Sequence, residues 1–275
     1  MSTQLTLRCV LALLVAMTAA LAAGLLAWGP ISPGSHQYAD MRALGGIPGV
    51  INALAALPLV QVALSGIAAL RRSSWPTEVV RPWRLFFVAA GGASLLAALY
   101  HLLPGDIGYV LANLLMAAAF TLLLAGFLAE RAHPQFGSRS ACAVALLLPV
   151  LAALWSLLAD ASRGLPDLRG LLLLQVLPVL LVPAGALSLP GRVTSAGDWL
   201  LMLVLYAFAK LLEAADATVY AATGWISGHS LMHLALAGVA LWLAYRALAD
   251  VPATAGDGSA AGEASQRVSS ASTSG

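Results

Sequence analysis

Long apolar runs separated by short polar loops make up most of this chain. Eight of the runs are long enough to cross the hydrocarbon core of a bilayer as a helix, which takes about 20 residues. They cover residues 9–28, 49–70, 85–103, 108–129, 141–158, 170–189, 198–215 and 227–248. Pro178 and Pro183 interrupt the sixth run, but neighbouring helices can satisfy the backbone groups that such prolines leave free. The pattern therefore predicts an all-α protein, a polytopic transmembrane helix bundle.

The two ends of the chain differ from its middle. The first run follows Arg8 and contains Ala20-Leu21-Ala22, small residues that also suit cleavage of a secretory signal peptide. The length of the run exceeds that of a typical signal core and favours an uncleaved helix. Residues 251–275 are rich in Ala, Ser and Gly and contain almost no large apolar side chain, so this tail is expected to be disordered.

Composition supports a membrane location and narrows the range of partners. The chain is 60% hydrophobic and 9% charged, whereas soluble domains average about 25% charged residues. Its arginines are scattered and Lys210 is the only lysine, which excludes a nucleic-acid-binding surface. Cys9 and Cys142 lie at the starts of apolar runs and are interpreted as lone thiols. The sequence indicates no protein partner.

The distribution of arginines predicts how the bundle is oriented. Eight spans place both ends of the chain on one side of the membrane, and most of the arginines lie on that side. These are Arg8, Arg71, Arg72, Arg81, Arg84, Arg131, Arg139, Arg192 and Arg246. Only Arg42, Arg163 and Arg169 lie on the other side. Because loops rich in Lys and Arg stay in the cytoplasm, both termini are predicted to be cytoplasmic.

Three histidines form the candidate chemical site. His229 and His233 are four residues apart, on one face of a helix, where both imidazoles can bind a single metal ion. The predicted topology places His101 at the same membrane depth. Three neutral imidazoles and one water are a common ligand set of catalytic zinc, which lowers the pKa of its water to about 7. The alternative is that each histidine is an ordinary solvated or hydrogen-bonded residue at the membrane interface.

A series of short motifs, in order and spacing, carries a family resemblance. They are Tyr38-Ala39-Asp40-Met41-Arg42, Gly46-Ile47-Pro48, Tyr100-His101-Leu102, Lys210-Leu211-Leu212-Glu213 and Ser227-Gly228-His229-Ser230-Leu231-Met232-His233, with Asn52, Pro104, Met116, Phe120 and Asp216 between them. Over residues 35–248 the chain resembles bacterial alkaline ceramidase-like membrane proteins. That family belongs to a superfamily of seven-helix membrane hydrolases that also includes progestin/adiponectin-type receptors.

The resemblance implies a fold, a cofactor and a reaction. The fold would be a seven-helix core over residues 31–250, preceded by one extra helix within residues 1–30, in the bacterial inner membrane. Zinc (Zn²⁺) would be held by His101, His229 and His233. The reaction would be hydrolysis of the amide bond of a ceramide-type membrane lipid, with an aspartate that handles protons and a serine that supports the site.

This chain departs from that pattern at both supporting positions. The serine is expected four residues before His101, where Ala97 stands, and the aspartate eleven residues after it, where Ala112 stands. The chain is therefore either a hydrolase with other supporting groups or a catalytically silent metal-binding relative with a structural or sensing role. Restoring both residues would distinguish the two hypotheses.

Two residues are candidates for the missing catalytic groups. Ser94 lies on roughly the same face as His101, two turns deeper, and Asp106 lies in the turn next to the predicted site. The simpler interpretations are that Ser94 hydrogen-bonds the backbone of its own helix and that Asp106 caps the turn. His36 and His133 are interpreted as plain loop residues.

Further acidic residues could support the metal indirectly. Glu213 and Asp216 approach the same membrane depth and could orient the histidines, as acceptors beside metal ligands commonly do. The simpler interpretation pairs Glu213 with Lys210. Asp40 and Arg42 form an interfacial charged loop, and the resemblance implies a Ca²⁺ site near Asp40.

Two other functions are consistent with membrane histidines. Paired histidines also bind haem iron, but axial ligands usually come from facing helices, and spacing of four on one helix does not suit opposite faces of one haem. A transporter would show an inverted repeat and midplane charges, and the apolar runs show no such repeat. Both are ranked below the metal hydrolase.

Overall fold

The computed structural model describes residues 3–34 and 36–250, and every regular element in that part of the chain is helical. This confirms the predicted all-α bundle. The helices are α1 (Thr3–Trp28), α2 (Val50–Ala56), α3 (Pro58–Arg72), α4 (Thr77–Leu102), α5 (Asp106–Arg131), a 3₁₀ turn (Pro134–Gly137), α6 (Arg139–Arg163), α7 (Arg169–Ser188), α8 (Ala196–Ala214), α9 (Asp216–Thr223) and α10 (Gly228–Ala249). The predicted tail, residues 251–275, lies outside the described residues.

Seven segments in the described part of the chain are long and apolar enough to cross a membrane. They are Thr6–Trp28, Val50–Arg72 (α2 and α3 together), α4, α5, α6, α7 and α10. The protein is therefore a multi-pass membrane protein. Helix α8, predicted as the seventh of eight spans, is not among them, because its 19 residues include the charged Asp198, Lys210 and Glu213.

Several boundaries differ from the hydropathy pattern for local physical reasons. The second predicted run is two helices, because Pro58 lacks an N–H and suits the first turn of a new helix. Helix α4 begins at Thr77, eight residues before the apolar run at 85, since polar residues continue the helix beyond the membrane core. A short helix, α9, follows α8 after a break at Ala215.

The bundle is organised around α4 and α5, its most extensive helix pair. Trp83 and Phe87 of α4 and Phe127 of α5 are almost completely buried. The Phe127 ring meets Trp199 of α8 edge-on, with ring centroids 5.0 Å apart. Helix α1 lies outside this core and contacts α7. The C-terminus of α4 and the N-terminus of α10 lie together at one end of the bundle.

A buried ionic cluster at the opposite end of the bundle fastens the loop between α7 and α8. Glu130, near the end of α5, accepts hydrogen bonds from the backbone N–H groups of Val193 (3.1 Å) and Thr194 (2.8 Å). Next to it, Arg131 donates to the carbonyls of Leu189 and Thr194, both at 2.6 Å. Both charged side chains are at most 1% exposed. Hydrogen bonds to the backbone of this loop thus compensate the burial of both charged side chains.

We expect Glu130→Ala to lower the free energy of unfolding in detergent micelles by about 3–5 kcal/mol, because it removes the counter-charge of the buried Arg131 and the acceptor of the loop amides. Chemical unfolding followed by circular dichroism measures this. The matched control is Asp250→Ala, an exposed acid that bonds Ser74, which should change stability by about 0.5 kcal/mol or less. Equal effects of the two substitutions would contradict the prediction.

Candidate metal centre

Three histidine side chains converge at one end of the bundle. His101 lies in the last turn of α4, and His229 and His233 lie in the first two turns of α10. The Nε2 atom of His101 is 3.1 Å from Nε2 of His233 and 3.2 Å from Nε2 of His229. All three ligand atoms lie within 4.8 Å of one another. The predicted three-histidine cluster that could bind a metal ion is therefore present.

The spacing of these nitrogens fits a metal ion better than hydrogen bonds alone. Nε2 of His101 faces two other imidazole nitrogens, but a neutral imidazole carries one N–H and one lone pair. The two contacts must therefore share a single N–H or a single lone pair of His101, which is a weaker arrangement than two separate hydrogen bonds. Two nitrogens bound 2.0–2.1 Å from a tetrahedral zinc lie about 3.3 Å apart. The cluster therefore fits a small divalent cation, whose identity the geometry leaves open.

The start of α10 is held by a polar cluster that positions His229 and His233. The hydroxyl of Ser227 accepts from the backbone N–H of Ser230 (3.1 Å), which caps the helix. Both serine hydroxyls also bond Oδ1 of the buried Asn52 in α2, at 3.3 Å for Ser227 and 2.6 Å for Ser230. Asn52 thereby joins α2 to the helix that supplies two of the three histidines.

The loop before α2 packs directly against His101. Gly49 has φ +68°, and a Cβ at this position would lie 2.3 Å from the carbonyl oxygen of His101. Only glycine allows this approach, both for its conformation and for its missing side chain. The segment that leads into α2 is thus seated on the backbone of a candidate metal ligand.

The structure places Asp216 and Glu213 near the site in different ways. One oxygen of Asp216 accepts from the backbone N–H of His229 and the other from that of Ala39, both at 2.8 Å. Asp216 therefore acts on the backbone of His229 and on the loop before α2. Glu213 lines the cavity next to the histidines and forms an ion pair with Lys210. A role of either residue in orienting the imidazoles stays a prediction.

Asp40 is committed to an arginine. The oxygens of this buried carboxylate accept from Nε (2.9 Å) and Nη2 (2.7 Å) of Arg42, and these bonds hold the pKa of Asp40 below its ordinary value. Arg42 also donates to the carbonyl of Trp225 (2.6 Å), which ties the loop to the start of α10. Within residues 3–34 and 36–250, the three histidines are the only group of three or more candidate metal-binding side chains. The Ca²⁺ expectation near Asp40 therefore stays a prediction without a ligand set.

A cavity of about 170 Å³ adjoins the three histidines. By the same measure a water molecule needs about 10–15 Å³, so the cavity holds several. A second, apolar cavity of about 110 Å³ lies next to it. Met116, Phe120, Tyr206 and Leu236 line both cavities. The site thus has a polar chamber at the histidines and an apolar chamber beside it, deeper in the bundle.

The two alanines at the expected serine and aspartate positions both line the polar chamber. Ala97 comes from α4 and Ala112 from α5, and each is half-buried. Side chains added at either position would be next to this chamber. Ser94, by contrast, is buried away from it and donates its hydroxyl to the carbonyl of Ala56 in α2. Ser94 does not line the polar chamber, and a catalytic role for it stays a prediction.

The sequence interpretation missed two residues of the loop before α2. The ring of Tyr38 lies against two of the histidines, 4.0 Å from the His229 ring and 4.9 Å from the His101 ring between centroids. Burial, together with the hydroxyl of Tyr100, raises the pKa of Tyr38 above its ordinary value. His36, interpreted as a plain loop residue, bonds Oδ1 of Asp106 through Nε2 at 2.9 Å. No periodicity in the loop indicated these contacts, although Tyr38 opens one of the quoted motifs.

Comparisons with known proteins add no family assignment. A scan against protein-family models finds no match, and searches of curated proteins and of solved structures find none. A function is therefore inferred from the site itself and from the motifs that contribute to it.

Proposed function

We propose that this protein is an integral membrane, zinc-dependent hydrolase of the alkaline ceramidase-like family, which cleaves the amide bond of a ceramide-type lipid. The observation that carries the proposal is the cluster of His101, His229 and His233 at the wall of a chamber large enough for substrate atoms and water. Three histidines leave a fourth position open on zinc, and the bound metal would activate water and polarise a carbonyl.

The adjoining apolar chamber supports a lipid as the substrate. An amide-linked acyl lipid has a polar bond flanked by long alkyl chains. With its amide beside the histidines, one chain would pass Met116 and Phe120 into the apolar chamber, where Leu59 and Val182 offer further apolar contact. Burial of each methylene there contributes about 0.8 kcal/mol. A small polar substrate would leave this chamber unused.

With α8 counted as an eighth crossing beside the seven apolar spans, the charge distribution supports a cytoplasmic location of both termini in a bacterial inner membrane. Arg71 and Arg72 end α3, Arg131 ends α5, and Arg246 lies in the last turn of α10. The three histidines lie at the opposite end of the bundle, on α4 and α10, and arginine-rich ends favour the cytoplasm. Under the proposal the metal site therefore lies near the periplasmic side.

One observation favours a second candidate, a catalytically silent metal-binding relative. Glu213 is the only carboxylate that lines the polar chamber among the described residues, and it is paired with Lys210. Ala97 and Ala112 occupy the positions where the resemblance expects a serine and an aspartate. In that case the metal would stabilise the bundle or take part in sensing a bound lipid.

Hydrolysis of a fluorescent N-acylated long-chain amino alcohol in mixed micelles tests the proposal. We expect the purified protein to release the fatty acid, to lose this activity with a zinc chelator and to regain it when Zn²⁺ is added back. His101→Ala, which removes one ligand, is the control for adventitious hydrolysis. Zinc-loaded protein that releases no fatty acid would favour the silent relative, and release unaffected by the chelator would contradict a metal-dependent reaction.

A further inference from the structure

Four side chains form a continuous hydrogen-bonded chain from the polar chamber at the three histidines to the start of α5. The hydroxyl of Tyr38 lies 3.1 Å from that of Tyr100, and both rings line the chamber. The Tyr100 hydroxyl lies 2.9 Å from Nδ1 of His36. Nε2 of His36 lies 2.9 Å from Oδ1 of Asp106. The chain thus runs Tyr38–Tyr100–His36–Asp106.

With the His36 ring neutral, the chemistry of these groups fixes the direction in which the protons point. A carboxylate only accepts hydrogen bonds, so Nε2 of His36 carries the proton that faces Asp106. Nδ1 of the neutral ring is then an acceptor, and Tyr100 must donate to it. Tyr100 in turn accepts from Tyr38. Every proton in the chain therefore points away from the polar chamber, which leaves the Tyr38 oxygen as an acceptor at its inner end.

The backbone of His36 is held in an uncommon conformation. Its φ is +55°, in the left-handed region that few residues other than glycine occupy, and His36 is the only such residue among those described. Strained backbone of this kind is often found where a side chain is held for a function. The His36 ring is packed beside Tyr100 and Tyr109, at centroid distances of 5.7 and 6.0 Å. Asp106 is the charged group that faces it.

We propose that this chain is a proton relay for the amide hydrolysis, with His36 as the group that stores the proton. The inference rests on the proposed function and deepens it, because the relay supplies the proton transfer for which Ala97 and Ala112 offer no group. His36 has no hydrogen bond or ring contact with the three metal-binding histidines among the described residues, so it acts through the two tyrosines.

The relay accounts for every proton that moves during the reaction. Water forms a bond from its oxygen to the amide carbonyl carbon, and one of its protons passes to the oxygen of Tyr38. Tyr38 passes its own proton to Tyr100, and Tyr100 passes its proton to Nδ1 of His36, which becomes an imidazolium paired with Asp106. When the carbon–nitrogen bond breaks, its electron pair goes to nitrogen. The protons then return along the same chain to that nitrogen, which leaves as an amine beside the carboxylic acid.

A comparison of two leaving groups tests the relay. An amine leaves only when its nitrogen receives a proton, whereas p-nitrophenolate leaves as an anion from the p-nitrophenyl ester of the same fatty acid. We expect His36→Gln to reduce amide hydrolysis by about 10²–10⁴-fold, as for the loss of a general acid or base. The ester should lose at least about tenfold less. Tyr38→Phe, which keeps the ring packed on His229 but breaks the chain, should show the same difference.

Matched controls and metal content separate the relay from a structural role. His133→Gln and Tyr245→Phe change the same residue types in a loop and a helix end away from the site, and should leave both rates unchanged. All variants should keep the wild-type zinc content by plasma mass spectrometry. If both relay variants reduce amide and ester rates equally, or lose zinc, the relay is wrong and the residues only support the site. Wild-type protein that cleaves neither substrate overturns the proposed function and the relay together.

Discussion

His233→Ala is expected to reduce the zinc content of the purified protein from about one ion per chain to less than about a tenth. The substitution leaves His101 and His229 as the only two histidines at the site, and two imidazoles hold zinc much more weakly than three. The measurement is plasma mass spectrometry of wild type and variant, both purified without added chelator or metal. Of the predictions made for this protein, this one bears most directly on its chemistry.

The matched control is His133→Ala, which removes a histidine from the loop after α5, where it bonds the backbone N–H of Gln135. This variant should keep its zinc. A thermal unfolding curve of His233→Ala in the same detergent shows whether lost metal reflects a lost ligand or a lost fold. Wild-type protein without any bound metal would remove the basis of the hydrolase proposal, and the three histidines would be ordinary buried residues.

The second large effect is expected when the serine and the aspartate that the family resemblance implies are introduced at positions 97 and 112. In a His36→Gln background, Ala97→Ser with Ala112→Asp should raise amide hydrolysis by about 10²–10⁴-fold. Both alanines line the polar chamber. The new carboxylate would therefore accept the proton that the interrupted relay can no longer take up.

Two further comparisons define what this result means. Ala112→Asn, of nearly the same size but without the charge, should give no gain. In the wild-type background the double substitution should have little effect if the relay is active, and should create activity if the chain is a silent relative. No gain in either background would show that these two positions do not contribute to the reaction, and that the resemblance to ceramidases does not extend to their chemistry.

The helices and the three-histidine cluster could be predicted because they follow from regular patterns. Apolar runs of bilayer length define the helices, and spacing of four fixes His229 and His233 on one helix face. For His101, counting the predicted spans was enough to place it at the same membrane depth as the other two histidines. Helix α8 shows the limit of this approach, because the segment was predicted as a span although Asp198, Lys210 and Glu213 make it less apolar than the others.

The loop before α2 could not be predicted in the same way. Its contacts join residues far apart in sequence, such as Ala39 with Asp216 and His36 with Asp106, and a loop has no periodicity from which to infer them. His36 therefore seemed an ordinary loop residue in the sequence, and Tyr38 was noticed only as part of a motif. The position of Ser94 was also beyond reach, because its hydrogen bond goes to a carbonyl of another helix.

The placement of two histidines on α10 has a consequence for biogenesis. His229 follows His101 by 128 residues, so at about 5–20 residues per second the ribosome needs on the order of ten seconds to complete the pair. The hydrogen bonds from Ser227 and Ser230 to Asn52 likewise form only after α10 has been synthesised. A nascent chain therefore cannot bring the three histidines together until α10 is inserted, and a metal ion that needs all three as ligands would be bound only after that step.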